Sequence, residues 1–206
     1  MQSIDLPQLT PVELTLPNGQ AVLLRPLGPD DREGLAVGFE RLSAESRYRR
    51  FMTPTPRLTA SDLTYFSEID YRNHFAWGVQ VVKPDGLDGA GVARYVRLAE
   101  DQDAADTAFT VLDEYQGTGI GGVLFRALAI AGRANDVRRF HFDVLADNRP
   151  MLKVLEKFGV PVDSVSSGIV HSVLDLDSFV GGLDSWPPAR ALSDLARAVR
   201  SPLHTP

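Results

Sequence analysis

The chain has 206 residues, is 44% hydrophobic, carries a formal net charge of −6 and contains no cysteine. That composition suits one globular domain, excludes disulfides, thiolate metal sites and a cysteine nucleophile, and argues against a general nucleic-acid binder, which needs a basic face. Met1 to Thr10 lacks the cationic and apolar regions of a signal peptide and no apolar run approaches spanning length, so a soluble cytoplasmic protein with no membrane contact is expected.

Val12 to Leu16 and Ala21 to Arg25 flank Pro17-Asn18-Gly19, a strong turn signal, and read as a hairpin that Pro26 ends. Pro29-Asp30-Asp31 opens a helix with acids in its first turn, and Leu35, Phe39 and Leu42 recur at helical spacing. Arg47, Arg49 and Arg50 flank Tyr48, Phe51 and Met52 ahead of the stiff break Thr53-Pro54-Thr55-Pro56. Thr59 to Ile69 is a second helical stretch, capped by Thr59 or Ser61. Phe75 to Val82 and Gly91 to Leu98 form a second hairpin around a turn from Pro84 to Gly89. Ala99 to Asp106 is acidic and expected as loop, with a strand resuming from Thr107 to Leu112.

A glycine-rich turn follows that strand, with four glycines among the six residues Gly117 to Gly122, more than a tight connection needs for geometry. Few side chains shield the backbone there, so its N–H groups can converge on an anion at the start of the next helix, where the dipole favours negative charge. Two cofactor patterns overlap on it. Gly117, Gly119 and Gly122 satisfy G-x-G-x-x-G, and Asp143 stands 21 residues on, near the offset of a ribose-binding acid. A dinucleotide fold, however, normally opens with that fingerprint, and the 84 residues after Gly122 leave no room for its second half. The same stretch spells Q-x-x-G-x-G through Gln116, Gly119 and Gly121, with Asn148 some thirty residues on. From Gly117 to Lys157 seven cations face four acids, which suits an anionic ligand and equally a solvated helix face.

Beyond the turn, Ile120, Val123, Leu124, Ala127, Leu128 and Ala131 make one apolar stripe of a helix of about three turns lying on the sheet. Phe140, Phe142 and Val144 mark a strand. Asn148 and Pro150 start a helix with Met151, Leu152, Leu155 and Phe158 on its apolar face, ended by Gly159. Val162 to Val165 and Ile169 to Leu176, around Ser166-Ser167-Gly168, form a closing hairpin. After Gly181-Gly182, Pro187 to Val199 is a short amphipathic helix that either packs back on the domain or meets another subunit, so an oligomer through it is possible.

From roughly Ala21 to Leu176 the chain resembles the GNAT acyltransferases on the strand from Phe109, the Gln116-to-Gly121 motif and Asn148. The resemblance implies an α+β fold in which a mostly antiparallel sheet, splayed at the cofactor site, is flanked by helices. It implies an N-terminal extension (1–20), an acetyltransferase domain (21–180) and a helical tail (181–206). Three stretches, Arg41 to Phe51, Glu68 to Trp77 and Ala105 to Gly121, look like the bacterial, particularly actinobacterial, Pat-type protein-lysine acetyltransferases. Members of that group often carry a cyclic-nucleotide-binding or acyl-CoA-synthetase-like domain, and the sequence is expected to hold neither.

What this resemblance implies is acetyl-CoA as donor and a protein lysine as acceptor, joined by direct attack. The pyrophosphate would lie on Gln116 and the amides of Gly117, Thr118, Gly119, Ile120, Gly121 and Gly122, and the pantetheine along Phe109, Thr110 and Val111. Asn148 falls where the superfamily holds the pantetheine, and an Asn there also suits a helix N-cap. Asp106 matches the acidic base, usually Glu, at the start of the central strand; being a methylene shorter, it calls for a bridging water if direct contact fails, and its plain alternative is a loop acid. A splay or bulge near Val111 would free a backbone N–H for the oxyanion. The general-acid tyrosine of many relatives is replaced by Leu155. His74, Tyr71 and Glu68 either shape the acceptor entrance or serve packing and capping, and four scattered histidines argue against a metal site. A small-molecule amine acetyltransferase and a non-catalytic acyl-CoA-sensing module share these cofactor features.

Overall fold

The computed structural model describes residues 11–54, 57–179, 183 and 186–200. Thr55 and Pro56 of the stiff break, the Gly181-Gly182 spacer and the Met1 to Thr10 segment lie outside the described residues.

Eight strands form one sheet: β1 (Val12–Thr15), β2 (Ala21–Pro26), β3 (His74–Lys83), β4 (Gly86–Arg97), β5 (Ala104–Val111), β6 (Arg139–Leu145), β7 (Ser164–Ser166) and β8 (Ile169–Asp175). Their order is β1-β2-β3-β4-β5-β6-β8-β7. Neighbours are antiparallel except β5 and β6, which run parallel. Helices α1 (Arg32–Arg41), α2 (Ala44–Phe51) and α3 (Ala60–Ser67) lie between β2 and β3; α4 (Ile120–Ala134) makes the β5–β6 crossover, α5 (Arg149–Lys157) follows β6, and α6 (Ala189–Arg200) comes last. This is the α+β architecture the resemblance implied, with β1 of the 1–20 segment joined to the same sheet.

The core lies between the sheet and α4. Phe75, Trp77, Tyr95, Leu124, Leu128 and Phe140 are all essentially buried, and each such side chain contributes about 1.5–3 kcal/mol through removal from water. Trp77 keeps its polar atom satisfied by donating Nε1–H to Ala127 O at 2.9 Å, which ties β3 to α4. The residues 189–200 pack back on the domain: Leu192, Leu195, Ala196 and Val199 are buried, and α6 contacts α4. The apolar face that could have met another subunit is therefore covered by the chain itself.

Several element boundaries differ from the sequence reading. β5 begins at Ala104 rather than Thr107, because Ala104 and Ala105 are fully buried and paired to β6 as well as extending the β4 ladder, so the acidic loop ends before them. The turn expected from Pro84 to Gly89 is only Pro84-Asp85; Lys83 pairs with Gly86, and a bulge between Val79 and Gln80 absorbs the offset. Pro29–Asp31 is a 3₁₀ turn ahead of α1. The arginine-rich stretch is helix α2, N-capped by Ser43 Oγ accepting from Ser46 N–H at 3.1 Å. Thr59 caps α3 in a reciprocal box with Asp62. Among the described residues no helix is long and apolar enough to cross a membrane.

Candidate active site

The parallel pairing of β5 and β6 covers only Ala104 to Asp106 against Arg139 to His141. Thr107 Oγ1 donates to His141 O at 2.8 Å just past the last rung, and then the strands part. The rings of Phe109 and Phe142 stand 6.3 Å apart, nearly parallel, where the ladder would otherwise continue. A cleft of about 970 Å³ opens there, lined by Phe109, Thr110, Val111, Gln116, Gly117, Gly119, Gly121, Gly122 and Asn148, among others. Leu98 N–H donates to Ala104 O and Leu112 N–H to Ala90 O, so the even-numbered residues of β5 address β4. Phe109 and Val111 consequently turn their backbone N–H and C=O toward the cleft, and Val111 O accepts from Gln116 Nε2 at 3.2 Å. Of the two devices considered, the splay is the one β5 uses.

The glycine turn forms the far wall. Gly117 (φ +76°) and Gly119 (φ +103°) adopt left-handed backbone that side-chained residues resist, and Gly119 is the N-cap of α4. Gly122 N–H returns to Gly119 O, whereas the first-turn N–H groups of Ile120 and Gly121 have no intrahelical acceptor. A cation stands beside them: Lys157 Nζ lies 4.0 Å from where a Cβ on Gly122 would be. Helix-start amides, positive dipole and ammonium together fit a diphosphate. The side chains of Thr118 and Ile120 are engaged elsewhere: Thr118 Oγ1 donates to Tyr115 O at 2.7 Å, and Ile120 is buried in the core. An anion at the turn would meet these two residues through backbone alone. Asn148 serves as N-cap of α5, its Oδ1 accepting from Met151 N–H at 3.3 Å, and its amide N–H₂ is left to donate into the cleft it lines.

Asp106 sits at the mouth of the split, opposite His141 in the last parallel pair, and both line the cleft. Partial burial raises the Asp106 pKa above the ordinary carboxylate value, His141 opposes the shift, and the charges of Asp143 and Glu100 add to it. The group remains solvent-accessible. Leu155, at the position of the absent tyrosine, is buried and offers nothing to the cleft.

The third wall was not legible in the sequence. Ser46, Arg49 and Arg50 of α2, Tyr65 and Phe66 of α3, and Arg94 of β4 all line the cleft. α2 is fastened to the glycine turn through Asp113, whose carboxylate accepts from Ser43 N–H (3.0 Å), Ser43 Oγ–H (2.9 Å) and Ser46 Oγ–H (2.8 Å). Desolvation would raise the Asp113 pKa, but those hydrogen bonds prevail and hold it low. Asp88 makes a second anchor, accepting from Arg41 of α1 at 2.7 Å, from Lys83 at 2.5 Å and from the Tyr115 hydroxyl. The arginine triplet on α2 was the available signal, though without an apolar period nothing marked it as a helix facing the site. His74 is packed rather than metal-binding: it is 8% exposed and its Nε2 lies 2.8 Å from Arg94 Nη1. Tyr71 is buried, and Glu68 is the C-cap residue of α3.

Residues 21–160 match the model of the acetyltransferase (GNAT) domain. The chain is 35% identical over 170 residues to Acetyltransferase Pat of Mycolicibacterium smegmatis, covering 82% of this chain and 50% of that protein. It is 35% identical over 138 residues to Acetyltransferase PA5475 of Pseudomonas aeruginosa, covering 66% of this chain and 73% of that one. The chain thus spans half the length of the mycobacterial relative. Among solved structures, the GNAT domain of S. lividans PAT superposes with a TM-score of 0.75 at 31% identity, covering 82% of this chain and 98% of that one. A cAMP-binding acyltransferase from Mycobacterium smegmatis gives a TM-score of 0.65 at 30% identity, with 93% of this chain matched to 55% of that one. Acetyl-CoA is the acyl donor of GNAT acetyltransferases, and with the splayed sheet, the glycine turn and these matches together, the chain belongs to the GNAT acetyltransferase family.

Proposed function

We propose that residues 21–180 form an acetyltransferase unit that moves the acetyl group of acetyl-CoA to the side-chain amine of a protein lysine by direct attack. The observation that carries this reading is the position of Asp106, a carboxylate of raised pKa at the mouth of a split whose opposite wall is the glycine turn. The lysine acceptor is supported by the resemblance of Arg41 to Phe51, Glu68 to Trp77 and Ala105 to Gly121 to Pat-type enzymes.

A free lysine amine has a pKa of about 10.4, so only about one in two thousand is neutral at pH 7 and a base is required. Asp106 takes the proton, through a water where its short side chain does not reach. Inward backbone N–H groups at Phe109 and Val111 offer oxyanion donors, while Gln116, the amides from Gly117 to Gly122, Lys157 and Asn148 hold the donor. A thiol of pKa about 8.5 leaves tolerably as thiolate, so the loss of the tyrosine at Leu155 is bearable.

The test incubates the protein with acetyl-CoA and candidate acceptor proteins and maps acetyl-lysine by mass spectrometry. New acetyl-lysines that disappear with Asp106→Ala are expected. Transfer confined to free amines would make the enzyme a small-molecule acetyltransferase, and calorimetric binding of acetyl-CoA without any transfer would leave a sensing module.

A further inference from the structure

Two guanidiniums, those of Arg50 and Arg94, line the same stretch of the cleft and feel each other's charge. Arg94, 6% exposed, projects from β4; Arg50 projects from the last turn of α2. Each lies over an aromatic ring, Arg94 Cζ 4.5 Å from the centre of Phe66 and Arg50 Cζ 5.0 Å from that of Phe51. Among the described residues neither forms an ion pair with a carboxylate. Arg94 donates to His74 Nε2 (2.8 Å) and Phe66 O (3.4 Å), both uncharged acceptors, because burial and the Arg94 charge hold the His74 pKa down to about 4. Burial pushes the Arg94 pKa down to about 9, with the Arg50 charge as a further cause, and burial lowers Arg50 to about 10. Both therefore remain cations at neutral pH, repelling each other and, among the described residues, paired with no carboxylate, an arrangement that a bound anion relieves.

The place of the pair gives the anion its size and chemistry. Arg50, Phe51, Phe66 and Arg94 line both the main cleft and a second cavity of about 560 Å³ running under α1, so the pair stands where the two meet. Arg94 pairs with Ala108 across the ladder and Val96 with Asp106, which puts Arg94 and Asp106 on one face as diagonal neighbours, about 7–8 Å apart at the backbone. An anion held by the arginines therefore shares one cleft with the group reacting at Asp106. The diphosphate of the donor has its own cradle at the other wall, and flat guanidinium forks stacked on aromatic rings match a planar carboxylate.

We propose that Arg50 and Arg94 form a carboxylate-binding subsite, so that one of the two substrates carries a carboxylate near its reacting centre. This rests on the acyltransfer reading above. The carboxylate has two possible sources, the acceptor's residue next to the modified lysine or the far end of a dicarboxylic acyl chain on coenzyme A.

Two substrate pairs separate the sources, with rates and calorimetric affinities measured on the full chain. The first compares lysine peptides with Asp or Asn beside the lysine, using acetyl-CoA; the second compares succinyl-CoA with acetyl-CoA, using the Asn peptide. The expected result is at least a tenfold preference for the carboxylate member in one pair. Arg50→Gln should collapse that preference, and Arg50→Lys should restore part of it. No preference in either pair, by rate or affinity, overturns the subsite, as does a preference that Arg50→Gln leaves unchanged. If no variant or substrate gives transfer, the acetyltransferase reading fails while the affinity differences still decide the subsite.

Discussion

His74 Nε2 lies 2.8 Å from Arg94 Nη1, and because a guanidinium only donates, the imidazole must accept with its own proton on Nδ1. Burial, with the Arg94 charge second, holds the folded-state pKa down to about 4 from an ordinary 6.5. Between those values the unfolded chain binds more protons than the folded one, so stability rises with pH across the window and is lost as pH falls through it. The loss has a ceiling of about 3 kcal/mol. Urea midpoints at pH 7 and pH 4.5 should therefore differ more for the native protein than for His74→Gln, which keeps an acceptor and does not titrate. Equal differences would show that His74 is not the group responsible.

Asp106 is expected to set the acidic limb of the rate profile. Its pKa is raised, chiefly by burial, so kcat/KM should rise with pH around a value above the ordinary 3.8. Asp106→Asn should lower kcat about a hundredfold or more, the usual scale of general-base catalysis, with the Kd for acetyl-CoA nearly unchanged. An unaltered profile in the variant would place the base elsewhere.

The Asp113 carboxylate joins α2 to the loop that enters the glycine turn, and its three hydrogen bonds come from Ser43 and Ser46. Asp113 is exposed, so the donors regain water and losing it costs only about 0.5–1.5 kcal/mol. Asp113→Ala should accordingly release α2, raise the KM for the acceptor several-fold and speed hydrogen exchange at Arg47 to Phe51, while the amides of α4 stay protected. Uniform protection across α2 would mean that Phe39, Leu42 and Leu112, rather than Asp113, hold the helix in place.

The central elements were legible because each carries its own local signal. The α4 stripe, the Asn148-Pro150 helix start and the glycine turn each follow from residues close in sequence, and the structure assembles them around one cleft. What sequence pattern missed depends on distant partners. Ala104 to Asp106 looks like loop beside the acids before it, and becomes strand because β6, over thirty residues later, pairs with it. α2 lacks an apolar stripe, and its position is fixed by Asp113 seventy residues away. Arg94 sits in a strand of apolar neighbours, and only the packing of Phe66 and Arg50 around it reveals a wall of the site.

Gly119 provides the sharpest separation of backbone from side-chain effects. At φ +103° a Cβ is strained, and one placed there would also stand 3.2 Å from Pro17 Cδ, tighter than the surrounding turn accommodates freely. Left-handed backbone costs an L-residue about 1–2 kcal/mol, so Gly119→Ala should lower stability by about that amount. The same strain tilts the amides of Ile120 and Gly121 away from their common focus, and because several donors share one anion, the Kd for acetyl-CoA should rise about tenfold, equivalent to about 1.4 kcal/mol. Gly34→Ala in α1 is the contrast, since open space surrounds that position and an alanine favours helix by about 0.5–1 kcal/mol. That variant should be as stable as the native protein or more so, with unchanged affinity. Thermal melts and calorimetry on the two variants decide the matter: parallel behaviour would mean that the glycine turn serves only to connect β5 to α4.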